Sequence, residues 1–484
     1  MTNETAKTKP IIWCVCILIA LAGLLFGIEI GLMAQAQDFI VEDLGLTGSS
    51  VISTIIAILM VGAMIGALGA GYLARVFGRK QVLFLAALCF TLGVLGCTVA
   101  QDGITLIIFR LILGFAIGFA SFTAPLYLSE VAPTSHRGLM ITLYQLMIVT
   151  GIFVSYLSNS YIFSETFRPD TGMEGTAADY LFTVHTSWRW MFGVSLLPAS
   201  IFLIGSFFIP QSPRWLVMKG RTEETRQILR RIRNSDEEAE QELVEIISNV
   251  KNNQSTNSIK FFLENKFFRK TVFLGIALQV MQQLTGINAI LYFAPKIITD
   301  SGFSEEFANS IGTIMIGGTN LLATFLAIYL VEKAGRKPTL VIGLIVLAAS
   351  LFAVFGLKTF FVSELASYLA LGFVLLFIVG FAFSAGPLVW VLCSEIQPQA
   401  GRELGVTCST GTNWIANALV AAAFLPLMGV IGINGLILIY GVCCVLGLIM
   451  TILYVPETKG VSLEKLESNL MNGVRLRDIG NPNL

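Results

Sequence analysis

Two stretches of this 484-residue chain set side chains capable of chemistry inside otherwise apolar sequence. The first pairs two charges. Glu29 and Arg110 are the charged side chains that fall deep within long hydrophobic runs. A charge at the bilayer centre costs at least ~2.5–3.5 kcal/mol on insertion scales, so each needs a partner or a task. Glu29 lies nine residues before Asp38, and Arg110 eight after Asp102. At ~1.5 Å per residue both are about 12–14 Å below the same membrane face. Equal depth permits an ion pair, which is either a fixed bridge or a proton switch. In the switch, ionised Glu29 is held by Arg110 and protonated Glu29 lets go. Neither of the two histidines, His136 and His185, lies within an apolar run, so Glu29 is the candidate proton carrier.

The second stretch is Leu278 to Tyr292, LQVMQQLTGINAILY. Steps of three and four put Gln279, Gln282 and Gln283 on one helix face, with Gly286 and Asn288 following. Uncharged amides in lipid-spanning sequence either bond a neighbouring helix or line a polar cavity. Three on one stripe favour the cavity. Asn320, Trp390, Asn413, Trp414 and Asn417 add to it from the second half of the chain, Phe26 and Gln145 from the first. Amides, indole N–H groups and ring faces suit a neutral polyhydroxylated molecule, whose hydroxyls need donors and acceptors while its C–H faces stack on rings. Gly286 and the pair Gly386-Pro387 interrupt their segments and offer hinges beside such a site.

These residues need spanning helices to hold them. Hydrophobic residues make up 55% of the chain and charged ones 13%, and mean hydropathy is +0.78. An all-α membrane protein is expected. Twelve apolar segments of spanning length run at about 11–37, 51–74, 80–100, 104–127, 138–161, 189–209, 269–298, 306–331, 338–357, 366–394, 403–428 and 432–455. The apolar run from Ile11 is too long for a signal segment and is expected to stay as the first span. With both termini inside, the inner connections hold most Lys and Arg, twelve of them between Arg214 and Lys270. The outside keeps Arg168, Arg189, Lys296 and Lys358, so cytoplasmic termini are expected. The expected divisions are a six-helix bundle at 1–210, a helical linker at 211–266, a second bundle at 267–460 and a cytoplasmic tail at 461–484. Within the linker, Thr222 is expected to cap one helix and Ser235 with Glu238 a second. Lys251 to Ser258 reads as a polar connector. A formal net charge of zero gives no basis for binding nucleic acid. The eight cysteines lack metal-ligand spacing, so no metal or other cofactor is expected, and no enzyme constellation of nucleophile and base is present.

The halves repeat. Gly78-Arg79-Lys80 recurs as Gly335-Arg336-Lys337, 257 positions later. Ser129-Glu130 with Arg137-Gly138 recurs as Ser394-Glu395 with Gly401-Arg402, and Pro210-Gln211-Ser212 as Pro456-Glu457-Thr458. Three matches in one order indicate duplication, which points to a transporter of two pseudo-symmetric six-helix bundles. The motifs place Glu130 near Arg79 or Arg137, and Glu395 near Arg336 or Arg402. Such pairs are expected to tie the bundles together when the inner side is shut.

The chain resembles the sugar porters of the major facilitator superfamily, most of all the bacterial galactose and arabinose proton symporters. The resemblance covers nearly the whole chain. It rests on LLFGIEIG (24–31), FGRK (77–80), FRLILGFAIG (109–118), APLYLSEVAP (124–133), YQLMI (144–148), QVMQQLTGIN (279–288), AGRKPT (334–339), SAGPLVWVLCSEIQP (384–398), NWIAN (413–417) and VPETKG (455–460). It implies sugar contact by Gln145, Gln282, Gln283, Asn288, Asn320, Trp390, Asn413 and Trp414, a gating role for Tyr292, and proton coupling through the acid of span one with Arg110. It also implies a bacterial inner (plasma) membrane location, a monosaccharide and a proton as partners beside the lipid bilayer, and function as a monomer.

Two positions depart from the family. Its symporters usually carry Asp, and its uniporters a neutral residue, where this chain has Glu29. Gln211 is neutral where an acid is usual, so a looser inner gate is expected. Other functions remain open to the sequence: a facilitative uniporter with a structural Glu29–Arg110 pair, or a non-transporting sensor, which would be expected to carry a long cytoplasmic tail. Multidrug efflux would call for a larger cavity poor in amides. Galactose, glucose, arabinose and xylose differ by one hydroxyl orientation or one CH₂OH, and the same amides could serve each.

Overall fold

The computed structural model describes residues 9–46, 49–133, 137–166, 177–253, 258–361 and 363–481. The described residues are helical throughout apart from short connections. Among the described residues, eleven segments are long and apolar enough to cross a membrane. The last, Gln399–Tyr454, has 56 residues. At ~1.5 Å per residue it is more than twice as long as a ~30 Å hydrocarbon core. Gly432 (φ 72) breaks it, so it makes two crossings and the described residues hold twelve spans.

Spans one to five are Pro10–Asp43, Ser49–Val76, Arg79–Val99, Gly103–Val131 and Arg137–Thr166. Span six starts earlier than expected, at Ala177–Gly193, and continues as Leu196–Ser206. Span seven is Lys266–Leu284 followed by Ile287–Tyr292, span eight ends as Thr313–Ala334, and span nine is Arg336–Phe360. Span ten is split into Glu364–Phe383 and Ala385–Glu395, and Arg402–Tyr454 makes spans eleven and twelve.

Within a bilayer, water offers no drive for helices to pair, so close backbone approach at small residues does the work. Glycine rows show it. A Cβ on Gly27 would lie 1.9 Å from the Ile148 carbonyl, and one on Gly151 2.2 Å from that of Leu24. Span one is thereby pressed on span five. A Cβ on Gly114 would meet the Leu59 carbonyl at 2.2 Å, and one on Gly118 the Ala63 carbonyl at 2.3 Å, which presses span four on span two. Glu29 follows the first row by two residues and Arg110 precedes the second by four. The same rows that build the bundle therefore fix where the two charges meet.

The linker is helical and docked. It holds Pro213–Met218, Thr222–Ile232, Asp236–Asn253 and Ser258–Glu264. Arg221 rather than Thr222 is the N-cap of the second of these, since Thr222 already has helical geometry. Ser235 Oγ accepts from the Glu238 amide at 3.1 Å, and the Glu238 carboxylate accepts from the Asn234 amide at 3.1 Å. Of the expected polar connector, residues up to Asn253 are helix, and 254–257 lie outside the described residues. Buried Arg233 reaches the Val131 carbonyl at 2.9 Å and Glu242 at 2.7 Å, locking the linker to the end of span four. The segment after span twelve folds as Leu463–Met471, and Leu466, Leu470 and Ile479 pack with Phe267.

Candidate functional site

Glu29 and Arg110 are 1% and 0% exposed, and Arg110 Nη1 lies 3.9 Å from Glu29 Oε2. The equal-depth expectation thus brings the right partners together, although span one continues to Asp43, beyond Asp38. The pair is not hydrogen-bonded. Neither Glu29 oxygen, and neither Arg110 terminal nitrogen, has a hydrogen-bond partner among the described residues. Arg110 spends Nε on the Ile55 carbonyl of span two at 2.7 Å. A hydrogen-bonded buried ion pair is held by short contacts of about 2.7–2.9 Å. An ionised carboxylate left dry at 3.9 Å is costly.

The amide stripe converges on span eleven. Asn413 Nδ2 donates to Gln279 Oε1 at 2.6 Å and to Gln282 Oε1 at 2.8 Å. Gln282 Nε2 donates to the carbonyls of Ala385 at 2.7 Å and Gly386 at 3.1 Å. Asn288 Nδ2 donates to Gln283 Oε1 at 2.6 Å. Gln279, Gln282, Gln283 and Asn413 are all buried. Trp414 is 2% exposed, stacks obliquely on Phe26 with centroids 5.4 Å apart, and its Nε1 has no partner among the described residues. A buried N–H without an acceptor costs about 1–3 kcal/mol until something polar arrives. Asn417 is buried beside the Tyr292 hydroxyl, and its Oδ1 is likewise unpartnered.

Other expected residues stand apart. Asn320 is buried in span eight, Gln145 half-buried in span five, and neither shares a hydrogen bond with the amide cluster among the described residues. Trp390, at 36% exposed, contrasts with Trp414. The break in span ten lies at Ser384 (φ −126, ψ −93). Gly386 and Pro387 fall in the first turn after it, where a proline without N–H is tolerated. Gly286 sits between the two pieces of span seven at φ 86, and a Cβ there would meet the Tyr440 ring at 2.5 Å.

Tyr292 is buried with its hydroxyl 3.8 Å from Met60 Sδ in span two, and Tyr156 of span five donates to the Leu291 carbonyl at 2.6 Å. Both contacts cross from one half to the other, on the side away from the linker. On the linker side, Arg79 pairs with Glu130 at 2.8 Å and Arg336 with Glu395 at 3.0 Å. Each pair stays within one half, so these two bridges brace their own bundles and do not join them. Arg402 reaches the Gln397 carbonyl at 3.4 Å. The side chain of Arg137 lies outside the described residues.

The duplication reappears in bond geometry. Ser212 donates to Glu130 and Thr458 to Glu395, each at 2.5 Å. Gln211 Oε1 accepts from the Lys80 amide at 3.3 Å, as Glu457 accepts from the Arg336 and Lys337 amides at 3.0 Å. Gly78 (φ 99) and Gly335 (φ 94) turn the chain identically ahead of them. Neutral Gln211 therefore keeps the helix-capping role of its acidic counterpart.

Residues 15–470 match the family described as "Sugar (and other) transporter". The chain is 46% identical over 479 residues to the galactose-proton symporter of Escherichia coli K12, covering 99% of this chain and 98% of that protein. It is 42% identical over 465 residues to the arabinose-proton symporter of the same organism, covering 95% and 94%. Among solved structures, the major facilitator proton:xylose symporter XylE bound to 6-bromo-6-deoxy-D-glucose superposes with a TM-score of 0.79 at 29% identity, covering 96% of this chain and 99% of that one. The partially occluded inward-open form of XylE from E. coli gives 0.78 at 28% identity, over 94% of this chain and 100% of that one.

Proposed function

Because this chain belongs to the sugar transporter family of the major facilitator superfamily, we propose that it is a sugar:proton symporter importing a neutral monosaccharide by alternating access. The observation that carries the proposal is a buried cluster of amides and one free indole N–H in the second bundle, with no charged side chain bonded into it among the described residues, while the first bundle holds a buried carboxyl. Hydroxyls of an aldose would meet Gln282, Gln283, Asn288, Asn413 and the Trp414 indole, while the Phe26 and Trp414 rings offer faces to C–H groups. Gln145, Asn320 and Trp390 complete the site when the halves close on the sugar. The linker side is the cytoplasmic face of a bacterial inner membrane, and the far side, shut by Tyr292 and Tyr156, is the outer face. The conformation is thus one closed to the outside. One copy of the chain suffices.

Gln282 has no spare hydrogen. Both N–H groups are committed to the first turn after the span-ten break, so a sugar hydroxyl that takes one of them loosens that turn. Binding and hinge movement are coupled through one side chain.

The Glu29–Arg110 geometry supports a part for this pair in proton coupling. Ionised Glu29 is held by Arg110 and protonated Glu29 is released from it, so gain and loss of the proton favour different conformations. A proton crossing inward releases about 2.3 kcal/mol per 100 mV, enough to drive accumulation. A pair 3.9 Å apart without a direct hydrogen bond supports a proton switch over a fixed bridge. Uptake of one labelled aldose into proteoliposomes, competed by galactose, glucose, arabinose and xylose, tests the proposal. Saturable uptake blocked by at least one of them is expected. Uptake insensitive to the whole panel would remove the sugar site.

A further inference from the structure

Gln35 lies in span one, six residues beyond Glu29, and is 1% exposed. Its amide nitrogen donates to Ser160 Oγ of span five at 3.0 Å. It also crosses to the other half, donating to the Asn309 carbonyl and to Thr313 Oγ1 at 3.2 Å. The Ser160 hydroxyl makes the same crossing, reaching the Asn309 carbonyl at 3.0 Å. Asn309 belongs to a single π turn, Ala308–Gly312, at the entry to span eight. Such turns interrupt the regular ladder and recur at functional positions. Backbone groups inside a membrane protein must find partners within the protein or in a water-filled cavity. Here two donors from the opposite half serve that carbonyl. The arrangement is incomplete, since Gln35 Oε1 is buried without a partner among the described residues.

We infer that Gln35, Ser160 and the π turn form a latch for the outer gate, distinct from the tyrosine contacts of span seven. Opening to the outside must part Gln35 and Ser160 from Asn309 and admit water to both. Water then also satisfies Gln35 Oε1, which is dry while the latch is closed. The bonds across the interface hold the gate shut, and the dry acceptor keeps the closed form from becoming a trap. The latch therefore sets the ratio of outward-closed to outward-open molecules. The inference rests on the alternating-access proposal only in calling this gate outer; the contact itself does not depend on which solute is carried.

The test is a distance distribution between spin labels at Ile104 and Glu364, exposed positions at the far-side ends of the two halves. Gln35→Met keeps chain length and removes the donors. It should raise the long-distance population relative to the short by about tenfold, the effect of one to two lost hydrogen bonds. Ser160→Ala should shift it in the same direction, and the double variant should move less than the sum because both act on one carbonyl. Ser160→Ala decides the matter if Gln35→Met does not fold. Distributions matching the parent protein in the folded variants would overturn the latch. Failure of sugar uptake with the distance shift intact would instead count against the transport proposal alone.

Discussion

Glu29 has both oxygens unbonded and Arg110 3.9 Å away, an arrangement that suits a carboxyl about to lose or just having gained a proton. For Glu29→Gln, an amide of nearly equal size that cannot ionise, net accumulation of labelled sugar in energised vesicles should vanish while counterflow persists. Loss of counterflow as well would assign Glu29 to folding or binding. At the sugar site, Gln282→Ala removes two bonds donated to span ten and one of the two acceptors of Asn413. Affinity should fall about 10–100-fold, the equivalent of ~1.4–2.8 kcal/mol, as read by equilibrium binding. Unchanged affinity would return the amide stripe to the role of helix glue.

At the level of helices, spans and breaks follow from different physics, and they were not equally legible. Hydropathy and length place the spans, because each must bury its backbone in hydrocarbon. The Gly286 break is visible because only glycine rests easily at φ 86. The span-ten break at Ser384 was displaced from the Gly386-Pro387 signal, since proline marks a missing donor and tolerates the first turn that follows. The Gln35 latch was invisible: a π turn has no composition of its own, and Gln35 stands 274 positions from Asn309. The bulk of the Asn413–Gln282 cluster was legible as amides, but its partners were not, because hydrogen bonds across helices depend on rotation that spacing does not fix. Gly286→Ala combines φ strain of roughly 1–2 kcal/mol with a Cβ 2.5 Å from the Tyr440 ring, and should lower the melting temperature and uptake together. Gly356→Ala, whose Cβ would meet nothing within 4 Å, should leave both unchanged or raise stability slightly. Equal behaviour of the two would show that the span-seven break is not constrained as described. Asp102 caps span four, and hydrogen bonds from Thr105 and Ile104 hold its carboxyl below the usual value. A lowered pKa stabilises above the unfolded value and is lost as pH falls through the folded one, so Asp102→Ala should destabilise at neutral pH and cease to differ in acid.

For the whole molecule, the two halves touch through tyrosines and the Gln35 latch on one side, while Arg79–Glu130 and Arg336–Glu395 brace each bundle separately on the other. Bundles that are each braced within themselves can rock about the amide site, and a proton and a sugar that favour the same conformations raise each other's affinity. That coupling is the central claim, and external pH reports it directly. Adding a transported aldose to de-energised, lightly buffered cells expressing the protein should alkalinise the medium, and the signal should disappear in Glu29→Gln. Normal sugar entry with no change in external pH would contradict symport and leave a facilitative carrier.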